Sequence, residues 1–481
     1  MATQKVSDNG APRIIQDYQV TIHLPQRDLP GAWIRIEHEV YEPTYPLITL
    51  LHPDLVSTFP GMGLFEHQDK YHLTCQIPFE FPISFWGIIG STYTTGKIEL
   101  RVIGYKIGCS EKSLPPNEDV TIFVYLTGGQ VLRRRDLLCY SYDGTIGPLS
   151  GDQLGKDIEW DDDRGHSILR IQHEHEEHSM GANQASIRIG RPVFVRSFVS
   201  DGITSLNSMM DQTEEEIKDI ARIVSFCSRE RVNWYAMTIE TYRSQQQPRL
   251  NPRAQSRGGV PVYELRKSQD PLIDHMALIE GGFKVLLDSF RSSTHRNLLE
   301  RAIAYQVASR QKEGGIEENY IFCHAALDAL ASGLSLDDPS IPCYQDQEWN
   351  ELRDRLVVTL DEFGRDKGVD TTLISRSKRK LLELRRPPIA ALIKHHVDAL
   401  GVKVDDLWPL SGFEKGLRQA LEIRNTFIHQ AIVNDPTSTH ENLLRLQILI
   451  ERFILKLLRW PDDKVWAFST LAIERINRRH Q

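Results

Sequence analysis

The hydrophobic pattern changes period once along the 481 residues, near Ser200. Before it, "YQVTIHL", "WIRIEHEV", "KIELRVIGYKI", "VTIFVYL", "SILRIQH" and "SIRIGRPVFV" are rich in β-branched and aromatic residues, and Pro, Gly, Asn and Asp clusters separate them. No helical pattern intervenes, which predicts an antiparallel sandwich or barrel rather than a parallel α/β sheet. After it, apolar residues recur at helical spacing. "TEEEIKDIARIVSFCSRERV" predicts a helix over Thr213–Val232 with acids in its first turn, and "SQQQPRLNPRAQSRGGVP", Ser244–Pro261, reads as a loop. From Pro271 onward almost every segment is a helix candidate. The expected fold class is multidomain α+β: a β-rich domain over 1–200, a connecting helix and flexible loop over 201–268, and an all-α domain over 269–481.

A chain this long exceeds one ordinary core. With a formal net charge of -8, a nucleic-acid partner must meet a local basic patch rather than the whole surface. The six cysteines are scattered singly with no C-x-x-C pair, the pattern of reduced cytosolic thiols rather than a disulfide framework or a zinc finger. The polar start "MATQKVSDNG" has no signal core, and no apolar run approaches the ~20 residues needed to span a bilayer. The expectation is a soluble cytoplasmic protein without membrane contact.

The stretch "LEIRNTFIHQAI", Leu421–Ile432, holds an anomaly. "SGFE" predicts a capping box of Ser411 and Glu414, "STHE" another of Ser438 and Glu441, and "NDP" a stop between them. One helix is therefore expected from Gly412 to about Val433 and a second from about Thr439 to Trp460. At about 100° per residue, Leu417, Leu421, Ile428 and Ile432 share an arc, with Ala420, Phe427 and Ala431 beside it. Arg424 falls inside this arc, and Asn425 and His429 stack four residues apart at its polar edge. A buried guanidinium needs a partner. Asp328 in "CHAALDALAS", with His324 four residues earlier, is the expected one. A purely structural ion pair between two helices explains these features equally well.

"RNTFIH" resembles the R-x(4–6)-H motif of HEPN domains, all-helical modules many of which are ribonucleases. The likeness extends to the asparagine after the arginine, the "ALDAL" helix upstream and the long apolar helix downstream, over roughly residues 270 to 481. With a β-rich first half, the chain looks like the ApeA-like HEPN proteins of bacterial anti-phage defence. The resemblance implies a metal-independent endoribonuclease with no cofactor. His429 would move protons, Arg424 would stabilise the charged phosphorane, Asn425 would orient the phosphate or the imidazole, and the product would be a 2′,3′-cyclic phosphate. It also implies a homodimer, RNA as substrate (tRNA or another structured RNA), and a phage-derived trigger read by the first domain.

A basic run carries Arg376, Lys378, Arg379, Lys380, Arg385 and Arg386 against one acid, Glu383, and Arg475, Arg478 and Arg479 follow near the C-terminus. Either cluster is a candidate RNA contact or a solvated helix face. "ENLLRLQILIERFILKLLRW" is apolar in nearly every direction, which predicts burial on several sides, part of it by a second copy.

Three signals are set aside. His173, His175 and His178 lack a firm third or fourth ligand for zinc, so no metal is expected. "GSTYTTGK" has five residues between its glycines and Ile98 where a phosphate loop needs Ser or Thr. Asp161, Asp162 and Asp163 lack the spacing of a calcium loop and read as a solvated turn. Two other function classes remain: a HEPN fold used only for binding or assembly, with Arg424 and His429 structural, and a carbohydrate- or peptide-binding sandwich with a helical oligomerisation tail.

Overall fold

The computed structural model describes residues 3–6, 12–23, 28–39, 46–53, 71–77, 81–94, 96–107, 114, 116–128, 132, 138–140, 146–148, 157–171, 174–176, 186–188, 192–243, 255–258, 272–273, 277–311, 315–335, 346–381, 387–430, 435–461 and 467–478. The chain forms two compact units, one mainly Met1–Arg291 and the other Ser292–Pro461 with Ala467–Gln481.

The described strands of the first unit are β1 (Thr3–Val6), β2 (Pro12–His23), β3 (Asp28–Glu39), β4 (Leu47–Leu51), β5 (Tyr71–Ile77), β6 (Phe81–Thr94), β7 (Lys97–Ile107), β8 (Glu118–Leu126), β9 (Leu138–Tyr140), β10 (Ile146–Pro148), β11 (Ile158–Asp162), β12 (Gly165–Ile171), β13 (Glu174–Glu176), β14 (Ser186–Arg188), β15 (Pro192–Val199), β16 (Trp234–Arg243) and β17 (Gln255–Gly258). Between the two anticipated architectures, the register selects a barrel for the first part. The order runs β7-β4-β3-β2-β5-β6, and β6 returns to β7, every pair antiparallel. Alternation then decides which side chains enter. Val20, Ile34, Ile36, Ile48, Leu50, Phe85 and Leu100 form one buried cluster, whereas Trp33 and Leu51, register partners one step out of phase, stay exposed. Each such aliphatic side chain contributes about 1.5–3 kcal/mol by leaving water. The segment that mimics a phosphate loop is the β6–β7 hairpin: Thr94 pairs with Lys97, and Gly96 supplies the turn with φ +73°.

From β7 the sheet continues through β17, β16, β8, β15 and β12 to β11. Two of these strands lie inside the segment expected to be a linker. β16 pairs with β8 along its whole length, and β17, within the expected loop, bridges β16 to β7. The 201–268 connector is thus part of the first unit's sheet. Its helix α1 spans Leu206–Ser228 rather than 213–232. Ser205 is the N-cap, accepting from the Ser208 amide, so "TEEE" occupies the middle of the helix instead of its first turn. Met210, Ile217, Ile220 and Val224 on one face are fully buried. The Ser225 hydroxyl donates to the Ala221 carbonyl at 2.6 Å and accepts from the Val232 amide at 2.8 Å, which ties the turn into β16. Helix α2 (Phe283–Ser292) also falls within this unit up to Arg291, so the first unit extends beyond the expected boundary at 268.

The second unit contains α3 (Arg296–Ser309), α4 (Ile316–Ser335), α5 (Asp346–Lys367), α6 (Thr371–Lys380), α7 (Ile389–Leu400), α8 (Phe413–Gln430), α9 (Pro436–Leu457) and α10 (Ala467–Arg478). An antiparallel β-rich part followed by a helical part is therefore established. α4 is the centre of the bundle, packing on α3, α7, α8 and α9 through Tyr320, Cys323, Ala326, Leu327, Leu330 and Ala331. The long basic segment is two helices, α6 and α7; Pro387 and Pro388 precede the second, whose N-cap is Pro388. Both expected capping boxes are replaced. α8 starts after Gly412, whose carbonyl accepts from the Gly416 amide, and Glu414 pairs forward with Arg418. α9 is capped by Asp435, which accepts from the Thr437 and Ser438 amides with Pro436 in the first turn. Aspartate followed by proline is the stronger start, because proline's missing amide proton is unneeded there.

Candidate functional site

The motif "RNTFIH" lies in the last two turns of α8, which remains helical through Gln430. The backbone places Asn425 and His429 one turn apart with Arg424 just ahead of them. The side chains of Arg424, Asn425 and His429 lie outside the described residues, as do those of Phe427 and Ile428. Of the apolar arc, Leu417, Ala420 and Leu421 are buried, as the spacing requires.

The described surroundings differ from those expected. Asp328 is exposed and accepts a hydrogen bond from Ser332 at 3.3 Å. The buried stripe of α4 runs through 323, 326, 327, 330 and 331, and residue 328 turns about 100° off that stripe despite its alanine and leucine neighbours. Asp328 is therefore not a buried carboxylate; its distance to Arg424 lies outside the described side chains. His324, one turn earlier, is half-buried. The buried charges near the α8–α9 connection are on α9: Glu441 is 4% exposed and Arg445 9%. Burial lowers the Arg445 pKa, and Glu441 opposes that shift. Between them Asn442 accepts from the Trp408 indole at 3.0 Å, and the Trp408 ring lies against Gly416, where an added Cβ would come within 2.2 Å of it.

Further along α9, Glu451 receives Arg310 Nη2 at 2.7 Å and Gln306 Nε2 at 2.9 Å, while Gln447 Nε2 donates to the Ser309 carbonyl at 2.6 Å. This polar core ties α3 to α9. Buried Cys323 lies close enough for the Ser309 hydroxyl, Arg310 and Glu451 to affect it; burial dominates and its thiol is pushed up to about 12. Such a thiol is inert at neutral pH. α9 is buried around most of its circumference within the single chain, polar positions included. Its apolar surround therefore carries no argument for a second copy.

Of the basic run, Arg376, Arg379 and Lys380 are exposed on α6, but Lys378 is paired with Asp361 of α5 at 2.6 Å. Arg385, Arg386 and Arg479 lie outside the described residues, and Arg475 and Arg478 sit in the last turn of α10. His175 falls in β13, opposite Ile187, and His173 and His178 lie outside the described residues.

The first unit holds a second candidate that sequence reading missed. Arg196, 3% exposed on β15, makes a two-pronged pair with Glu216 of α1, Nη1–Oε2 2.6 Å and Nη2–Oε1 2.8 Å. It also donates to Asp162 at 3.0 Å and to Ser167 at 2.9 Å, with its guanidinium 5.7 Å from the Phe194 ring centroid. Glu216 receives Arg291 of α2 at 2.9 Å, and Arg291 reaches Asp219 at 3.5 Å. Alternating charges thus run from the β11–β12 turn to the end of α2. Asp162, expected in a solvated turn, is drawn inward by Arg196, while its neighbour Asp163 stays exposed. An open cleft of about 780 Å³ borders the Arg196–Glu216–Asp162 end, with Thr204, Gln212 and Phe198 also on its walls. The available signal was a lone arginine inside the apolar strand "PVFVRSFV".

Among the described residues no group of three or more His, Cys, Asp or Glu is arranged to hold a metal ion, and no described helix is long and apolar enough to cross a membrane. Comparison with protein-family models, with curated proteins and with solved structures finds no match for this chain.

Proposed function

We propose that the chain is a metal-independent endoribonuclease whose active site is carried by Arg424, Asn425 and His429, within a helical domain of HEPN type. The observation that supports this reading is the helical course of α8 through Gln430, which gives the three positions the spacing the chemistry needs. RNA supplies its own nucleophile, the 2′-hydroxyl next to each phosphate. An imidazole, whose reference pKa is about 6.5, can take up or give a proton near neutral pH, and His429 is the group proposed to take that proton or to protonate the leaving 5′-oxygen. Arg424 stays charged and offers paired donors to the phosphorane oxygens. Asn425, one turn from His429, orients the phosphate or the imidazole. One histidine serves only one side of the acid–base exchange, so the reading includes a homodimer in which a second motif supplies the other. Exposed Arg376, Arg379 and Lys380 are the proposed backbone contacts for RNA, and the β-rich unit is the proposed receiver of a phage-derived trigger in a cytoplasmic defence response.

The test is cleavage of RNA by the wild type beside His429→Ala, both in EDTA. Loss in the variant, with its helical circular dichroism retained and the wild type still active, is the expected result. Cleavage that persists in His429→Ala places the active site elsewhere, and wild-type activity that disappears in EDTA removes the metal-independent route. The binding-only alternative is favoured if neither protein cleaves any RNA.

A further inference from the structure

Arg445 on α9 is a buried guanidinium that the chain does not neutralise. It is 9% exposed, and its Nε is enclosed without a hydrogen-bond partner. Among the described residues, none gives the rest of the guanidinium a hydrogen bond or a carboxylate within ion-pair distance. Glu441, one turn earlier, offsets only part of the cost of burial, so the pKa of Arg445 falls below the ordinary guanidinium value. An arginine stays charged at neutral pH all the same. Arg452 supplies the comparison. It stands seven residues on, about 20° away around the helix, so the two share a face. Arg452 donates to both Asp406 oxygens at 2.7 and 2.8 Å and to the Lys403 carbonyl at 2.7 Å. Beside Arg445 the same face offers Asn442, whose amide is already engaged by the Trp408 indole and the Ser438 carbonyl. The chain thus gives one arginine of this face a carboxylate and leaves the other without.

We propose that Arg445 is an oxyanion-binding residue whose guanidinium takes a phosphate group of the RNA, outside the set Arg424, Asn425 and His429. An unpaired charge away from water is costly, and a planar fork of donors matches the paired oxygens of a phosphate. The bound phosphate supplies to Arg445 what Asp406 supplies to Arg452. α9 is the helix that follows the motif helix after residues 431–434, and α8 packs on it. That the phosphate belongs to RNA rests on the ribonuclease reading; the oxyanion site itself does not. Water is the competing occupant of the fork, and it predicts no ligand response that depends on Arg445.

Two probes on the full chain separate these occupants. Inorganic phosphate, added at constant ionic strength, should raise the wild-type melting temperature and leave that of Arg445→Gln unmoved. A 2′-O-methyl RNA oligonucleotide, which cannot be cut through its 2′-hydroxyl, should bind Arg445→Gln about tenfold more weakly in fluorescence anisotropy. The slope of log Kd against log salt should shrink by about 0.7, the share of one phosphate contact on a single strand. Arg445→Lys should keep the slope, since it keeps the charge, and lose part of the affinity with the fork. Without ligand, Arg445→Gln should melt no lower than the wild type, because it removes an unpaired buried charge, whereas loss of a structural ion pair would lower it. Stabilisation by phosphate that needs Arg445, without RNA binding, keeps the oxyanion site and removes RNA as its ligand. An effect of Arg445→Gln on RNA alone assigns the site to the RNA backbone rather than to free phosphate. RNA affinity and salt slope unchanged by Arg445→Gln together with an equal response to phosphate, or a ligand-free variant that melts well below the wild type, overturns the proposal.

Discussion

Arg196→Met should loosen the first unit severely, and the further change Glu216→Leu should recover most of the loss. Arg196 and Glu216 are 3% and 4% exposed, so either charge left without its partner stays largely out of water. Removing one member of a buried pair costs about 3–5 kcal/mol. Glu216 retains Arg291 at 2.9 Å, which is partly exposed, so the low end of that range applies. Removing both charges replaces the pair with apolar surface next to Phe194, leaves Arg291 its contact with Asp219, and leaves Asp162 on the wall of the open cleft, where water can take the place of Arg196. Exchanges of this kind are near neutral or stabilising. The assay is native-state hydrogen exchange on peptides from β15 and α1 in the full chain. At about 1.4 kcal/mol per decade, Arg196→Met should speed exchange there by roughly two orders of magnitude. Acceleration below tenfold in the single variant, or a double variant as loose as the single, would refute the claim that an uncompensated buried carboxylate is what destabilises it.

Asp435→Ala should cost about 1 kcal/mol of helical-unit stability, while Ser438→Ala costs little, since Asp435 caps α9; urea midpoints compare them. Burial raises the Asp406 pKa, but the paired Arg452 at 2.7 and 2.8 Å outweighs it and holds the carboxyl below its ordinary range. A depressed carboxyl pKa contributes stability above its unfolded value of about 3.9, and that stability is lost as pH falls through the folded value. Asp406→Asn should therefore destabilise by about 1–2 kcal/mol at neutral pH, and the gap to wild type should close in acid; a gap that is constant with pH contradicts the ion pair. Peptides containing Cys227 and Cys323 should resist alkylation in the folded chain and react only after denaturation, because burial raises both thiols.

The change of period at Ser200 was legible because strand and helix patterns differ over many residues, and most of the quoted apolar segments are indeed strands or helices. β7 coincides with "KIELRVIGYKI" to the residue. Closure of the barrel was not legible, since it depends on β2 pairing with β5 and β4 with β7, registers between strands that are not neighbours in the sequence. β16 escaped notice because its place beside β8 is set by a partner more than a hundred residues earlier. Helix starts misled where two cap signals compete: Asp435–Pro436 preempts Ser438 by three residues. The apolar neighbours of Asp328 implied burial, but a carboxylate one position off the buried stripe faces solvent. The motif on α8 stood out because arginine in an apolar arc is costly. Arg196 carries the same signal, yet its partners Asp162 and Glu216 come from separate elements, and no spacing in the sequence links them.

Product analysis on a single defined RNA tests the central proposal most directly. Cleavage by Arg424 and His429 through the 2′-hydroxyl leaves a 2′,3′-cyclic phosphate on one fragment and a 5′-hydroxyl on the other, in the presence of EDTA. A 2′-deoxy substitution at the cut position should abolish cleavage there, and His429→Ala should abolish it everywhere. A 5′-phosphate product, or cutting that tolerates the 2′-deoxy substitution, would contradict it.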